Sequence, residues 1–245
     1  MTALGIMNQY LSALKSIGFV DEELTFDAKS IEKKSSSIWS ETLMNLFALS
    51  DFYNLNSHQP KIVLSAISAG LYPNIMRVET PETKFKATIA GAIEKDAEAK
   101  EIRFKTKKGN TLDSFFLILD VERVFVHPSS VLFPENKFWS PWVVYLQKQQ
   151  TSKVFIYDCS IVSSYSVVLF GGKAEVDHSS QLLSLDGWIK FRVSPRVAAL
   201  IRKLRRAFED LLLEKFKNPS AHICDSPINK AILSLVLTDG TDERL

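Results

Sequence analysis

VERVFVHPSSVLF (121–133) and WVVYLQKQQTSKVFIYDCSIVSSYSVVLFGG (142–172) are two runs dense in Val, Ile, Phe and Tyr. These residue types suit a pleated, partly buried surface. A turn bearing Trp and Pro separates the runs, and neither run holds a catalytic constellation. Inside the second run, Lys148, Gln149, Gln150, Thr151, Ser152 and Lys153 gather cations, amides and hydroxyls between two strand-like stretches. Groups of this kind contact phosphate and sugar oxygens. Tyr145, Tyr157 and Tyr165 lie nearby in sequence as stacking faces for unpaired bases. On residue chemistry alone, a polar hairpin facing water explains the patch equally well. The stretch reads as a surface that holds something rather than one that cuts it.

Outward from that stretch, the same period of two continues. Residues 84–93 (KFKATIAGAI) and 101–107 (EIRFKTK) alternate, and Lys108, Gly109 and Asn110 supply turn chemistry. LILDVERVFV (117–126) and LLSLDGWIKFRV (182–193) add further strands, with Asp186-Gly187 as a hairpin signal. Many short strands separated by turns imply a sandwich or a small barrel, and the pattern does not choose between them.

Before Met76 the spacing is helical. Leu4, Met7, Leu11 and Leu14 recur at steps of three and four, and Gly18 is placed to stop that helix in a left-handed conformation. KSIEKKSSS (29–37) reads as an exposed connector. Ser40 caps a second helix carrying Leu43, Leu46 and Phe47, with Trp39 as a staple outside it. A third helix starts near Pro60 and runs to Gly70, with Ile62, Val63, Ala66 and Ile67 as its apolar stripe. At the other end, Ser194-Pro195 opens a long helix whose face holds Val197, Leu200, Ile201, Leu204, Phe208, Leu211 and Leu212. Arg196, Arg202, Lys203, Arg205 and Arg206 crowd its remainder; a solvated charged face explains them better than phosphate contact. Asn218-Pro219 ends it, a short helix over 228–237 follows, and the last residues fray.

The 245 residues suffice for one large domain or two small ones, and a net charge of +2 excludes a global basic field. Cys159 and Cys224 make neither a disulfide framework nor a zinc site, which fits a reducing compartment. No apolar run reaches the ~20 residues that span a bilayer, and no signal-peptide pattern opens the chain. Phe170-Gly171-Gly172-Lys173 lacks the spacing of a phosphate-gripping loop, and Val121 follows Asp120 where a metal-holding strand carries a second acid. His58, His127, His178 and His222 have no zinc-type partners, and Asp177-His178-Ser179 is a solvated loop rather than a triad. Cys159 reads as a small buried hydrophobe.

AISAGLYPNIMRV (66–78), then VFVHPSSVLF, then the run from Trp142 to Gly172, then LDGWIKFRVSPRVAALIRKLR (185–205) resemble the C-terminal region of DEAH-box RNA helicases. The RNA helicase A-like subgroup has these motifs in the same order, and the likeness covers roughly residues 5–219. It implies an α+β chain: a small helical bundle over 1–75, an OB-fold β-barrel over 76–193, and an amphipathic C-terminal helix with tail over 194–245. In the family this module closes the channel for single-stranded RNA against two RecA-like motor domains. The HPSS motif falls on His127, Pro128, Ser129 and Ser130. The family's TSKVFLRDCT-like run falls on 151–160, where Ile156 and Tyr157 replace its Leu-Arg, and Ser164 stands where proline is usual.

The residue chemistry of the central patch and the resemblance together point to RNA contacts from His127, Ser129, Ser130, Tyr145, Lys148, Thr151, Ser152 and Lys153. The expected partners are single-stranded RNA, the motor domains of the same protein, and further proteins, with no membrane. A regulatory module that docks partner proteins or the helicase core is the alternative. The nucleotide-binding loop, DEAH box and arginine fingers do not occur in this sequence. The chain is therefore expected to be a fragment that uses no cofactor, has no catalytic or metal residue and hydrolyses no ATP. ATP and Mg belong to the parent helicase, whose expected location is the cytoplasm, or the nucleus.

Overall fold

A computed structural model of the chain describes residues 3–19, 56–81, 84–88, 91–95, 102–107, 121–177, 179–219, 221 and 223–240. The connector at 29–37, the second helix behind Ser40, the turn at 108–110, residues 117–120, His178, His222 and the final five residues lie outside them. The chain divides into two compact units, one of Met1–Gln59 with Arg206–Ile232 and one of Pro60–Arg205 with Leu233–Leu245. Among the described residues, no helix is long and apolar enough to cross a membrane.

In the first unit, α1 (Ala3–Ser16) ends as its glycine predicts. Gly18 has φ 70°, its N–H donates to Lys15 O, and Phe19 N–H donates to Leu14 O. These two bonds form a Schellman motif, which satisfies carbonyls that a helix end otherwise leaves open. Phe19 packs on Phe216 with ring centroids 5.4 Å apart.

The second unit is built on a closed barrel. Its strands are β1 (Ile75–Glu79), β4 (Arg103–Lys107), β5 (Val121–Val126), β6 (Trp142–Gln150) and β7 (Val154–Val162). They neighbour one another in the order β1-β4-β5-β7-β6, and β6 pairs back onto β1. All pairings are antiparallel except β5 with β7, which is parallel through Phe125↔Phe155 and Val126↔Ile156. Five strands in this order make an OB barrel, so the fold is α+β with the barrel the resemblance implies. Between β1 and β4 the chain inserts a hairpin of β2 (Lys84–Thr88) and β3 (Gly91–Lys95).

Met76, Val78, Val124, Val126, Val143, Tyr145 and Ile156 fill the barrel. A second core lies on the opposite side of β1 and β6, where Ile75, Trp142, Val144 and Val162 meet Val167, Leu185 and Ile189. Burial on both faces explains why β6 begins with the unbroken apolar run Trp142-Val143-Val144-Tyr145.

Three expectations need correction. The end of the β-rich run is not strand: α2 (Pro60–Leu71) packs on α3 (Ser164–Phe170), a short helix capped by Ser163, whose side chain accepts from Tyr165 N–H and Ser166 N–H. Second, the face of α2 that is buried is its serine face. Ser65 and Ser68 are buried and Ser65 Oγ meets Ser166 Oγ at 2.5 Å, while Val63 and Ile67 stay exposed. Small hydrogen-bonded side chains let the two helices approach more closely than Val and Ile would. Third, β8 (Ala174–Asp177), β9 (Leu182–Leu185) and β10 (Ile189–Arg192) form their own antiparallel sheet rather than continuing the barrel to Val193. Asp186 and Gly187, at φ 47° and 76°, make the β9–β10 turn that their sequence predicts.

Two helices complete the chain. Ser194 caps α4 (Pro195–Lys217) through Val197 N–H, and α5 is Pro227–Thr238. Arg205 of α4 reaches the turn after α3, donating Nη1 to Val168 O at 2.7 Å and Nη2 to Gly171 O and Gly172 O at 2.6 and 2.5 Å. The glycine-lysine sequence here presents carbonyls to an arginine and is a structural turn. Asp177 is likewise structural. Its carboxylate accepts from the hydroxyls and amides of Ser179 and Ser180, and these bonds hold it well below the usual carboxylate range.

Candidate nucleic-acid interface

The outer surface of β5 and β7 gathers rings and cations. Alternation on β5 turns Val124 and Val126 into the barrel and leaves Arg123 and Phe125 outside. On β7 the alternation breaks at Asp158, which has φ 51°; Ile156 and Cys159 both line the core, and Phe155 and Tyr157 are left partly exposed. Parallel pairing then sets Phe125 beside Phe155, centroids 6.3 Å apart. His127, just past β5, stacks on Tyr157 at 4.3 Å and meets Phe155 edge-on at 5.6 Å. Arg123 and Lys153 both lie over the Phe125 ring, at 4.9 and 4.7 Å. Lys105 pairs in register with Arg123 across β4 and holds Glu79 at 2.9 Å. Four contiguous aromatic rings are flanked by cations, a combination of ring faces and positive charge.

The loop Thr151-Ser152-Lys153 joins β6 to β7 and is exposed. It is the fourth-to-fifth-strand loop of the barrel, one of the two loops through which OB folds hold oligonucleotides. Thr151 N–H donates to Lys153 O at 2.9 Å, which pins the tip and turns Lys153 back over Phe125. At the other side, Ser129 N–H donates to His127 Nδ1 at 3.1 Å and Ser129 Oγ lies 2.7 Å from that nitrogen.

The other candidate residues sit elsewhere. Lys148 forms an ion pair with Glu122, which neutralises its charge locally. Ser130 Oγ is buried beside the Cys159 thiol. Tyr145 requires a correction: its ring is 5% exposed inside the barrel, with its hydroxyl 3.4 Å from Thr106 Oγ1, so it offers no face to a base. Alternation places Tyr145 on the same side as Val143, and both fill the core. Phe125, Phe155, Arg123 and Lys105 were not among the sequence candidates. The parallel β5–β7 pairing joins Phe125 to Phe155 and the β4–β5 pairing sets Lys105 beside Arg123, and no local spacing encodes either.

No group of three or more metal-ligating side chains occurs among the described residues. Cys159 is partly buried, and burial pushes its thiol up to about 11, with Asp158 adding to the shift and Ser130 opposing it. At pH 8 its thiolate is scarce, whereas Cys224 is exposed. Alkylation of the native chain at pH 8, followed by peptide mass spectrometry, is expected to label Cys224 first; faster labelling of Cys159 would refute this ordering.

Comparisons agree with the geometry. The family described as oligonucleotide/oligosaccharide-binding (OB)-fold matches residues 63–174, and the family described as C-terminal domain in RNA helicases matches 181–238. Among curated relatives, a Mus musculus protein named as an ATP-dependent RNA helicase, DHX57, is 37% identical over 237 residues, 95% of this chain and 16% of its own length. The Homo sapiens protein of the same name is 36% identical over 237 residues, again 95% of this chain and 16% of its own length. The ATP-dependent DNA/RNA helicase DHX36 of Homo sapiens is 29% identical over 193 residues, 76% of this chain and 17% of its own length. The chain thus spans about one sixth of the length of these relatives.

Proposed function

We propose, from the premise that this chain has the OB fold and the helicase C-terminal domain of the DEAH-box RNA helicases, that it is an accessory module which holds single-stranded RNA and packs against motor domains. ATP and Mg serve the motor, which this reading assigns to other parts of the same protein, acting in the cytoplasm or nucleus. The role of the present chain is positional. Bases stack on the Phe125, Phe155, His127 and Tyr157 surface, and Lys153 and Arg123 meet the phosphates. Thr151, Ser152 and Ser129 offer hydroxyls at the edges, and Lys148 contributes less because Glu122 already pairs with it. The observation that carries the reading is the ring-and-cation surface beside the β6–β7 loop.

Titration of the chain with a labelled uridine-rich single strand tests it. Affinity is expected to fall as salt rises, with a log–log slope of about −0.7 per phosphate contact. Lys153→Ala should make that slope shallower by roughly one contact. A salt-independent affinity would remove the nucleic-acid half of the proposal.

Packing against the motor is supported by the loop between β5 and β6. Leu132 and Phe138 anchor it in the barrel core, Phe138 meeting Phe104 at 5.7 Å. Val131, Phe133 and Trp139 project outward at 89, 49 and 58% exposure, three large apolar side chains on one loop. Trp139→Ser is expected to weaken co-purification with separately expressed motor domains while leaving the RNA titration unchanged; intact co-purification would separate this loop from docking.

A further inference from the structure

The nucleic-acid surface leaves a second feature of the same unit without a role. A groove of about 400 Å³ lies between α3 and the N-terminal half of α4, with Tyr165, Gly240 and Leu235 of α5 also lining it. Val168 and Leu169 form its buried floor. Val197, Leu200, Ile201 and Leu204 form the α4 wall, and two of these remain far out in solvent, Val197 at 45% and Leu200 at 58% exposure. Leu200 and Leu204 lie one helical turn apart on one face, the arrangement that receives apolar anchors from a partner helix.

Along the α4 wall the charge is of one sign. Arg196 and Lys203 are exposed and flank Leu200 at i−4 and i+3, so both stand on its side of the helix. From Pro195 to Arg205, α4 carries Arg196, Arg202, Lys203 and Arg205 and no carboxylate. Asp239, next to Gly240 at the far end, already holds Lys61 Nζ at 2.8 Å. We infer that this groove is a docking site for an acidic amphipathic helix, with leucine-type anchors at i, i+4 and i+7 on the apolar floor and Glu or Asp side chains against Arg196 and Lys203. The apolar floor suits no phosphate, which argues against a strand of RNA. A second copy of this chain would bring the same cations to a shared rim in an isologous contact, where like charges repel.

The test uses the full 245-residue chain. A fluorescein-labelled helical peptide with Leu at i, i+4 and i+7 and Glu at the flanking positions is titrated by anisotropy, beside a peptide in which each Glu is Lys. The acidic peptide is expected to bind saturably and the basic one not to bind. Leu200→Asp, and separately Arg196→Glu with Lys203→Glu, should each weaken binding at least about tenfold. These positions are exposed, so circular dichroism should show unchanged folding, and Leu200→Asp should leave the single-stranded RNA titration unaltered. That last reading separates this site from the nucleic-acid surface. Equal binding of both peptides, indifference to both variants, or self-association of the chain that Leu200→Asp abolishes would each overturn the inference.

Discussion

Gly171→Ala is expected to destabilise the barrel-bearing unit by about 3 kcal/mol, at the upper end of the cost of overpacking a well-filled site. A Cβ at Gly171 would lie 2.5 Å from Val167 O, 2.9 Å from Leu185 Cδ1 and 3.2 Å from Tyr72 Cε2. The first of these is backbone, and it already accepts the Gly171 N–H at 2.8 Å. Relief therefore requires loss of the bond that ends α3 or displacement of Leu185 from the second core. The surroundings resist both. Arg205 holds the carbonyls of Gly171 and Gly172 from one side. Asp186 holds Lys173 N–H at 2.8 Å and the Tyr72 hydroxyl from the other. Burial, and next the bond to Asp186, keep that hydroxyl protonated well above the usual tyrosine range. Urea denaturation followed by the fluorescence of Trp142 and Trp188, which meet at 6.4 Å in the second core, reads the effect directly. A lower midpoint with an unchanged slope is expected. A shift below about 0.5 kcal/mol, the size of an ordinary surface substitution, would mean that the turn yields freely.

The second large effect concerns the proposed RNA surface. Phe125→Leu and Phe155→Leu keep apolar bulk at the barrel wall but remove the aromatic face. Each is expected to weaken binding of a uridine-rich strand by about 1–2 kcal/mol, a factor of roughly 5–30, in the lower part of the range of about 1–3 kcal/mol found when one stacking ring is lost. Phe125→Leu should have the larger effect, because its ring also lies under Arg123 and Lys153 and orients both cations. Tyr145→Phe should leave affinity unchanged, since that ring is enclosed in the barrel. Equal losses from Tyr145→Phe and Phe125→Leu would point to a general effect of barrel stability and away from stacking.

Much of this architecture is legible in the sequence where a single residue dictates local geometry. Gly18 ends α1, Ser194 with Pro195 opens α4, and Asp186-Gly187 turns β9 into β10, because each needs a conformation or a capping oxygen that few residue types supply. The barrel itself is legible through family motifs, since short alternating strands fit a sandwich as readily. Thr151, Ser152 and Lys153 do fall in an exposed loop beside the aromatic surface. The surface itself is not legible, for two physical reasons. Phe125 and Phe155 meet through a parallel pairing of strands that are not consecutive. Asp158, in a left-handed conformation, also reverses the in–out phase of β7, so that a period of two counted along the chain assigns the wrong faces on one side of it. Tyr145 is misread for a related reason: β6 is covered on both faces there, and an unbroken apolar run carries no mark of which ring is reachable. In α3, Val167 and Val168 read as strand, and only the Ser163 cap and burial on the second core make them helical.

Contact between single-stranded RNA and the β5–β7 surface is read out by photo-cross-linking of a 4-thiouridine-labelled strand to the chain, with the cross-linked peptides identified by mass spectrometry. Cross-links are predicted in residues 121–127 and 153–157. Cross-links confined to the basic helix at 196–206, with none on those two segments, would contradict it.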